Sequence, residues 1–117
     1  MQRNPNMSDY PRGTILAAVY ETIEIRKRTM PEKSYVVTLL KKGVDSICCK
    51  VAEESGELIK AAREQSDEQT KKEACDLIFH AMVLLAAKDI TLEDLEAEFA
   101  RRHGISGLDE KAGRAKK

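Results

Sequence analysis

A chain of 117 residues is long enough for one domain, and its 20 acidic and 20 basic residues cancel, so no global field draws it to nucleic acid or a membrane surface. Apolar residues make up 42% but aromatics only 4%, with no Trp, and this Ala-, Leu-, Glu- and Lys-rich composition favours packed helices over a sheet sandwich. The polar start lacks the apolar run of a secretory signal, and no stretch approaches the roughly eighteen apolar residues of a membrane span, so a cytoplasmic protein is expected.

In chain order, residues 1–12 carry Asn4-Pro5-Asn6 and Pro11 without periodicity and read as a loose leader. A first helix is predicted over 14–28, where Ile15, Leu16, Val19, Tyr20 and Ile23 recur at helical steps, with Pro31 ending it. Ser34 can cap a short helix to Lys42, which Gly43 terminates. The second long helix, 44–63, has an apolar stripe of Cys48, Val51, Ala52, Ser55, Leu58, Ile59 and Ala62, with Lys50, Glu53, Glu54 and Glu57 opposite. Ser66, with Gln69 three residues on, offers a start like a capping box for a third helix to about Lys88. That helix is apolar almost all round from Ala74 and belongs in the middle of a bundle.

Thr91 caps a fourth main helix to about Arg102, with Gly104 as its left-handed terminator and His103 favourably placed near its C-terminus. Residues 105–117 form a tail, leaving 13–104 as the domain. The expected fold is all-α: a bundle of four main helices plus a short one. Cys48, Cys49 and Cys75 show neither a disulfide framework nor a paired CxxC site and are expected as small core or near-core residues.

The chemistry lies in Glu53-Glu54-x-x-Glu57 and Glu73-x-x-Asp76. The first group alone reads more readily as the wet face of an amphipathic helix than as a site. Asp76 carries more weight, because it stands on the most apolar helix with only His80, one turn on, as a basic neighbour, and a buried carboxylate without a partner costs several kcal/mol. If the two helices are antiparallel neighbours, their acids converge on one oxygen-rich pocket that suits Mg²⁺, or Mn²⁺, better than zinc. Carboxylate-held Mg²⁺ with open positions receives phosphates, which implies phosphoryl or nucleotidyl transfer. Neither GxxxxGK[ST] nor GxGxxG occurs, so phosphate contacts must come from side chains, with Lys50 the first candidate and Lys42, Arg101 and Lys111 in the other basic clusters. His80 is either a hydrogen-bonded core residue or a group orienting Asp76.

The run Lys50-Val51-Ala52-Glu53-Glu54-x-x-Glu57, with Glu73-Ala74-x-Asp76-Leu77-x-x-His80, resembles the all-α nucleotide pyrophosphohydrolases of the MazG-like superfamily. Ser34-Tyr35, Leu39-Leu40-x-Lys42-Gly43-x-Asp45 and Arg101-Arg102-His103-Gly104-x-Ser106-Gly107-Leu108-x-Glu110-Lys111-Ala112 are similar, more narrowly, to the phosphoribosyl-ATP pyrophosphatases of histidine biosynthesis. The resemblance implies a homodimer that uses Mg²⁺, held by Glu53, Glu54, Glu57, Glu73 and Asp76, to hydrolyse phosphoribosyl-ATP to phosphoribosyl-AMP and pyrophosphate. A separate cyclohydrolase would perform the next step. Ala52 departs from the glycine expected there, and Gly56 sits inside the motif, where it would permit a close helix approach. The competing readings are a MazG-type housekeeping nucleoside triphosphate pyrophosphohydrolase, which shares the acids, and a non-catalytic helical module whose acid face docks a basic partner.

Overall fold

The computed structural model describes residues 10–103, which form five helices: α1 (Thr14–Thr29), α2 (Tyr35–Lys42), α3 (Val44–Glu64), α4 (Asp67–Ala87) and α5 (Leu92–Arg102). Residues 1–9 of the expected leader, Gly104 and the expected tail with Lys111 lie outside the described residues. None of the described helices is long and apolar enough to cross a membrane.

Local chemistry sets the element boundaries. α1 stops at Met30, whose left-handed backbone (φ 49°) lets its N–H donate to the Arg26 carbonyl at 2.8 Å, one residue ahead of Pro31. Ser34 Oγ accepts from Val37 N–H and starts α2. Gly43 alone separates α2 from α3, closing one helix on the Leu39 carbonyl and opening the next toward Ile47 N–H. Its φ of 97° strains any residue with a Cβ. Ser66 caps α4 by accepting from Gln69 N–H at 3.1 Å. The Gln69 side chain, however, does not reach back to close the expected box. A complete capping box opens α5 instead, with Thr91 and Asp94 exchanging backbone-to-side-chain bonds of 3.0 and 3.1 Å.

α3 and α4 are joined through Gln65 and Ser66 and run as an antiparallel hairpin, the most extensive helix pair in the molecule. α4 also packs on α1 and α2, so it is central, as its sequence implies. Tyr20, Ile23, Ile47 and Val83 are fully buried, with Val36, Leu39, Met82 and Ala86 around them. The Tyr20 hydroxyl donates to the Ile90 carbonyl at 2.7 Å, tying α1 to the turn before α5. Burial first, then the charges of Glu24, Asp94 and Glu93, push its pKa up and keep it a donor.

Three expectations are corrected. The inward stripe of α3 is Ile47, Val51, Glu54, Leu58 and Ala61, whereas Cys48, Ala52, Ile59 and Ala62 are exposed. The structure therefore rotates the helix by one residue relative to the predicted stripe and turns Glu54 inward. The three cysteines are exposed rather than core residues, because Cys48 and Cys49 flank the buried Ile47 and Cys75 lies on the outer side of α4. Gly56 admits no close helix within this chain, since a Cβ there meets nothing within 4 Å.

Candidate metal centre

The site follows from the hairpin. Glu54 on α3 and Asp76 on α4 stand at similar heights above the Gln65-Ser66 turn, with Glu73 about one turn lower, and one carboxylate oxygen from each lies within 4.8 Å of the others. Glu54 and Glu73 are half-buried and Asp76 is exposed. Asp76 is thus exposed and not inside the apolar core: it shares the face of His80 and Val83 at i, i+4 and i+7, but stands nearer the Gln65-Ser66 end of α4, where that face is left uncovered.

Three like charges at that separation repel by about 1 kcal/mol per pair in water, rising to about 3 kcal/mol at an effective dielectric near 20. No Lys or Arg forms an ion pair with any of the three among the described residues. The set consists of hard oxygen donors from two rigid helices, with no thiolate or imidazole in it. Ligand oxygens of Mg²⁺ stand about 3.0 Å apart when adjacent and about 4.2 Å when opposite, so small side-chain rotations would bring three oxygens within 4.8 Å of one another to such spacings. The donor set fits Mg²⁺ or Mn²⁺.

Other predicted site residues are placed differently. Glu53 and Glu57 are exposed on α3 and outside this group, since at about 100° per residue they point roughly 100° and 60° away from Glu54. Lys50 Nζ lies 3.7 Å from the Glu53 carboxylate, on a side chain 34% exposed. Lys42 is exposed at the end of α2. Arg101 lies on α5, where its Nε donates to both Glu98 oxygens at 3.1 and 2.9 Å. His80 is 5% exposed and contacts the backbone carbonyl of Asp76, not its carboxylate. His80 is thus a buried, hydrogen-bonded residue whose ring touches Asp76 through the backbone, a contact that agrees with either of the two sequence readings.

Sequence reasoning passed over Gln69, whose amide donates to Glu73 Oε1 at 2.8 Å and so orients one of the three acids. The i, i+4 spacing was the available signal, masked by Gln69's apparent role in a capping box. It also passed over a cavity of about 390 Å³ that Asp76 borders, lined by Ile15, Leu16, Ile78, Phe79 and Met82 among others.

Comparison with known proteins adds an independent line. The family model described as phosphoribosyl-ATP pyrophosphohydrolase matches residues 16–103. The phosphoribosyl-ATP pyrophosphatase of Neisseria meningitidis serogroup C is 46% identical over 101 residues, covering 86% of this chain and 94% of that relative. The proteins of the same name from Pelobacter propionicus and Azoarcus sp. are 47% and 46% identical over 100 residues, covering 86% of this chain and 93% and 94% of their own lengths.

Proposed function

The chain belongs to the phosphoribosyl-ATP pyrophosphohydrolase family, and we propose that it hydrolyses phosphoribosyl-ATP to phosphoribosyl-AMP and pyrophosphate at the Glu54, Glu73 and Asp76 site with Mg²⁺ held there. The observation that carries the site is the convergence of three oxygen donors from two helices within 4.8 Å. A divalent cation bound there supplies neutralising charge for a polyphosphate and acidifies water.

The chain's own residues supply the rest. Glu54, Glu73 and Asp76 fix the cation, and Gln69 holds Glu73 in orientation. Glu53 and Glu57, exposed on the outer side of α3, extend the acid surface around the triphosphate and are the further candidates for cation contact. Lys50, paired only at 3.7 Å and one turn before Glu54, offers its ammonium to a phosphate, with Lys42 available at the end of α2. Water adds across the anhydride between the α and β phosphates, and the bond to the pyrophosphate leaving group breaks. In histidine biosynthesis this is the second step, ahead of a cyclohydrolase. We further propose that the working unit is a homodimer closed over the apolar cavity beside Asp76.

Purified protein incubated with phosphoribosyl-ATP and Mg²⁺ is expected to release pyrophosphate, and chelation to stop it. Glu54→Gln is expected to lower turnover by roughly 100-fold or more with helicity unchanged. Absence of pyrophosphate release by the wild-type protein overturns the reading. Retained turnover in Glu54→Gln overturns the assigned site, and a panel of ordinary nucleoside triphosphates tests the housekeeping specificity against this one.

A further inference from the structure

α2 contributes no carboxylate to the acid group, yet its first residue reaches the Asp76 turn of α4. The ring of His80 is 5% exposed, and both its nitrogens are engaged, Nδ1 with the Asp76 carbonyl at 2.8 Å and Nε2 with the Tyr35 hydroxyl at 2.8 Å. A carbonyl only accepts, so Nδ1 carries a hydrogen. In that neutral tautomer Nε2 accepts, and the Tyr35 hydroxyl donates.

The rings reinforce the geometry. His80 stands edge-on to both Tyr35 and Phe79, with centroids 5.8 and 5.5 Å away at 87° and 83°. Tyr35 and Phe79 lie nearly parallel at 6.2 Å. Phe79 and Asp76 border the same cavity. Tyr35 is itself 50% exposed, so its hydroxyl could bond to water; instead it is held by the buried imidazole.

The three acids are not held alike. Glu73 has Gln69, and Glu54 is half-buried between the hairpin helices. The Asp76 carboxylate has no side-chain partner among the described residues, and what restrains Asp76 is its backbone carbonyl. That carbonyl already takes the helical bond from His80 N–H, and Nδ1–H adds a second donor.

We propose that Tyr35 is a positioning residue which, through His80, fixes the Asp76 turn of α4 so that the Asp76 carboxylate meets those of Glu54 and Glu73. This rests on the metal-site reading above. Partners that orient a ligand typically account for 10- to 100-fold in metal affinity. Because Tyr35 acts through a backbone carbonyl rather than on the ligating oxygen itself, the low end of that range applies.

The test uses Mn²⁺ as the probe, with the free ion counted by its paramagnetic resonance signal. Wild-type protein, Asp76→Asn, Tyr35→Phe and Val37→Ala are titrated, and their thermal midpoints recorded. Tyr35→Phe keeps the ring against Phe79 and deletes only the donor. Val37, 4% exposed on the same helix, loosens α2 without touching the Tyr35–His80 contact.

The expected result is a Mn²⁺ dissociation constant about 10-fold higher in Tyr35→Phe, with Val37→Ala close to wild type despite its lower midpoint. Tyr35→Phe binding like wild type while Asp76→Asn loses binding overturns the positioning role alone. Equal weakening in Tyr35→Phe and Val37→Ala also overturns it, since loosening of α2 would then suffice. No Mn²⁺ binding by wild type, or unchanged binding in Asp76→Asn, overturns the metal-site reading and this proposal with it.

Discussion

At the residue scale, the contact with the most readable consequence outside the site is that of Lys27. Its ammonium donates to the Ala86 carbonyl at 2.7 Å and pairs with Asp89, placing a positive charge on the last turn of α4. A cation there compensates the helix dipole and adds a charged donor to a carbonyl that also accepts from Asp89 N–H at 3.0 Å. Lys27→Met should therefore cost about 1 to 2 kcal/mol in denaturant unfolding. Asp89 has its pKa lowered by the Lys27 hydrogen bond and then by the Lys27 charge, against a smaller opposing effect of burial. Its stabilising contribution is thus present above its ordinary value of 3.8 and lost as pH falls through the lower native value. Unfolding of Asp89→Asn followed over pH should show a deficit against wild type at neutral pH that closes in acid below 3.8; a constant deficit would contradict the pairing. The sequence shows Lys27 only as one of three basic residues in a last turn, because a contact 62 positions away leaves no local pattern.

At the element scale, all five helices were legible because each carries its own punctuation: Ser34, Gly43, Ser66 and Thr91 stand where the chain starts or stops a helix. The phase of α3 was not legible. Two stripes run along it at alternating steps of three and four, Ile47-Val51-Glu54-Leu58-Ala61 and Cys48-Ala52-Ser55-Ile59-Ala62, and the second has no charge. The first is the more buried because its Ile, Val, Leu and Ala turn toward the rest of the bundle, and Glu54, half-buried in the same stripe, comes within 4.8 Å of the acids of α4. Pattern alone ranks the uncharged stripe higher, and a charge that belongs to a site reverses that ranking. The same rotation leaves Gly56 on the outside, where an added methyl meets nothing. Gly56→Ala should then raise the unfolding free energy by roughly 0.5 to 1 kcal/mol, the ordinary Gly-to-Ala difference in a helix interior. A loss of stability would mean that another chain packs closely on that side of α3.

At the scale of the whole molecule, the described residues gather apolar surface in one place. Ile15, Leu16, Ile78 and Phe99 are 41%, 52%, 45% and 67% exposed. They rim two adjoining cavities of about 390 and 310 Å³ that share Leu16, Ile78 and Met82. Scattered exposed hydrophobes are ordinary, but a contiguous patch formed by α1, α4 and α5 is where the proposed dimer would close. The apolar character of α4 foreshadowed this in the sequence, since one helix cannot hide apolar residues on every side within so small a bundle. A second copy burying this patch would also cover the side of the candidate metal site that Asp76 borders, so on the proposed reading assembly and activity should fail together. Light scattering should give twice the 13.1 kDa chain mass for the wild type, and a 13.1 kDa particle would contradict the dimer. Leu16→Glu places a carboxylate in both cavities without replacing any of the three acids, and should yield a helical monomer whose pyrophosphate release is roughly 10-fold lower or worse, for want of a closed site. A Leu16→Glu protein that stays dimeric would move the interface elsewhere, and a monomer with wild-type turnover would separate assembly from catalysis.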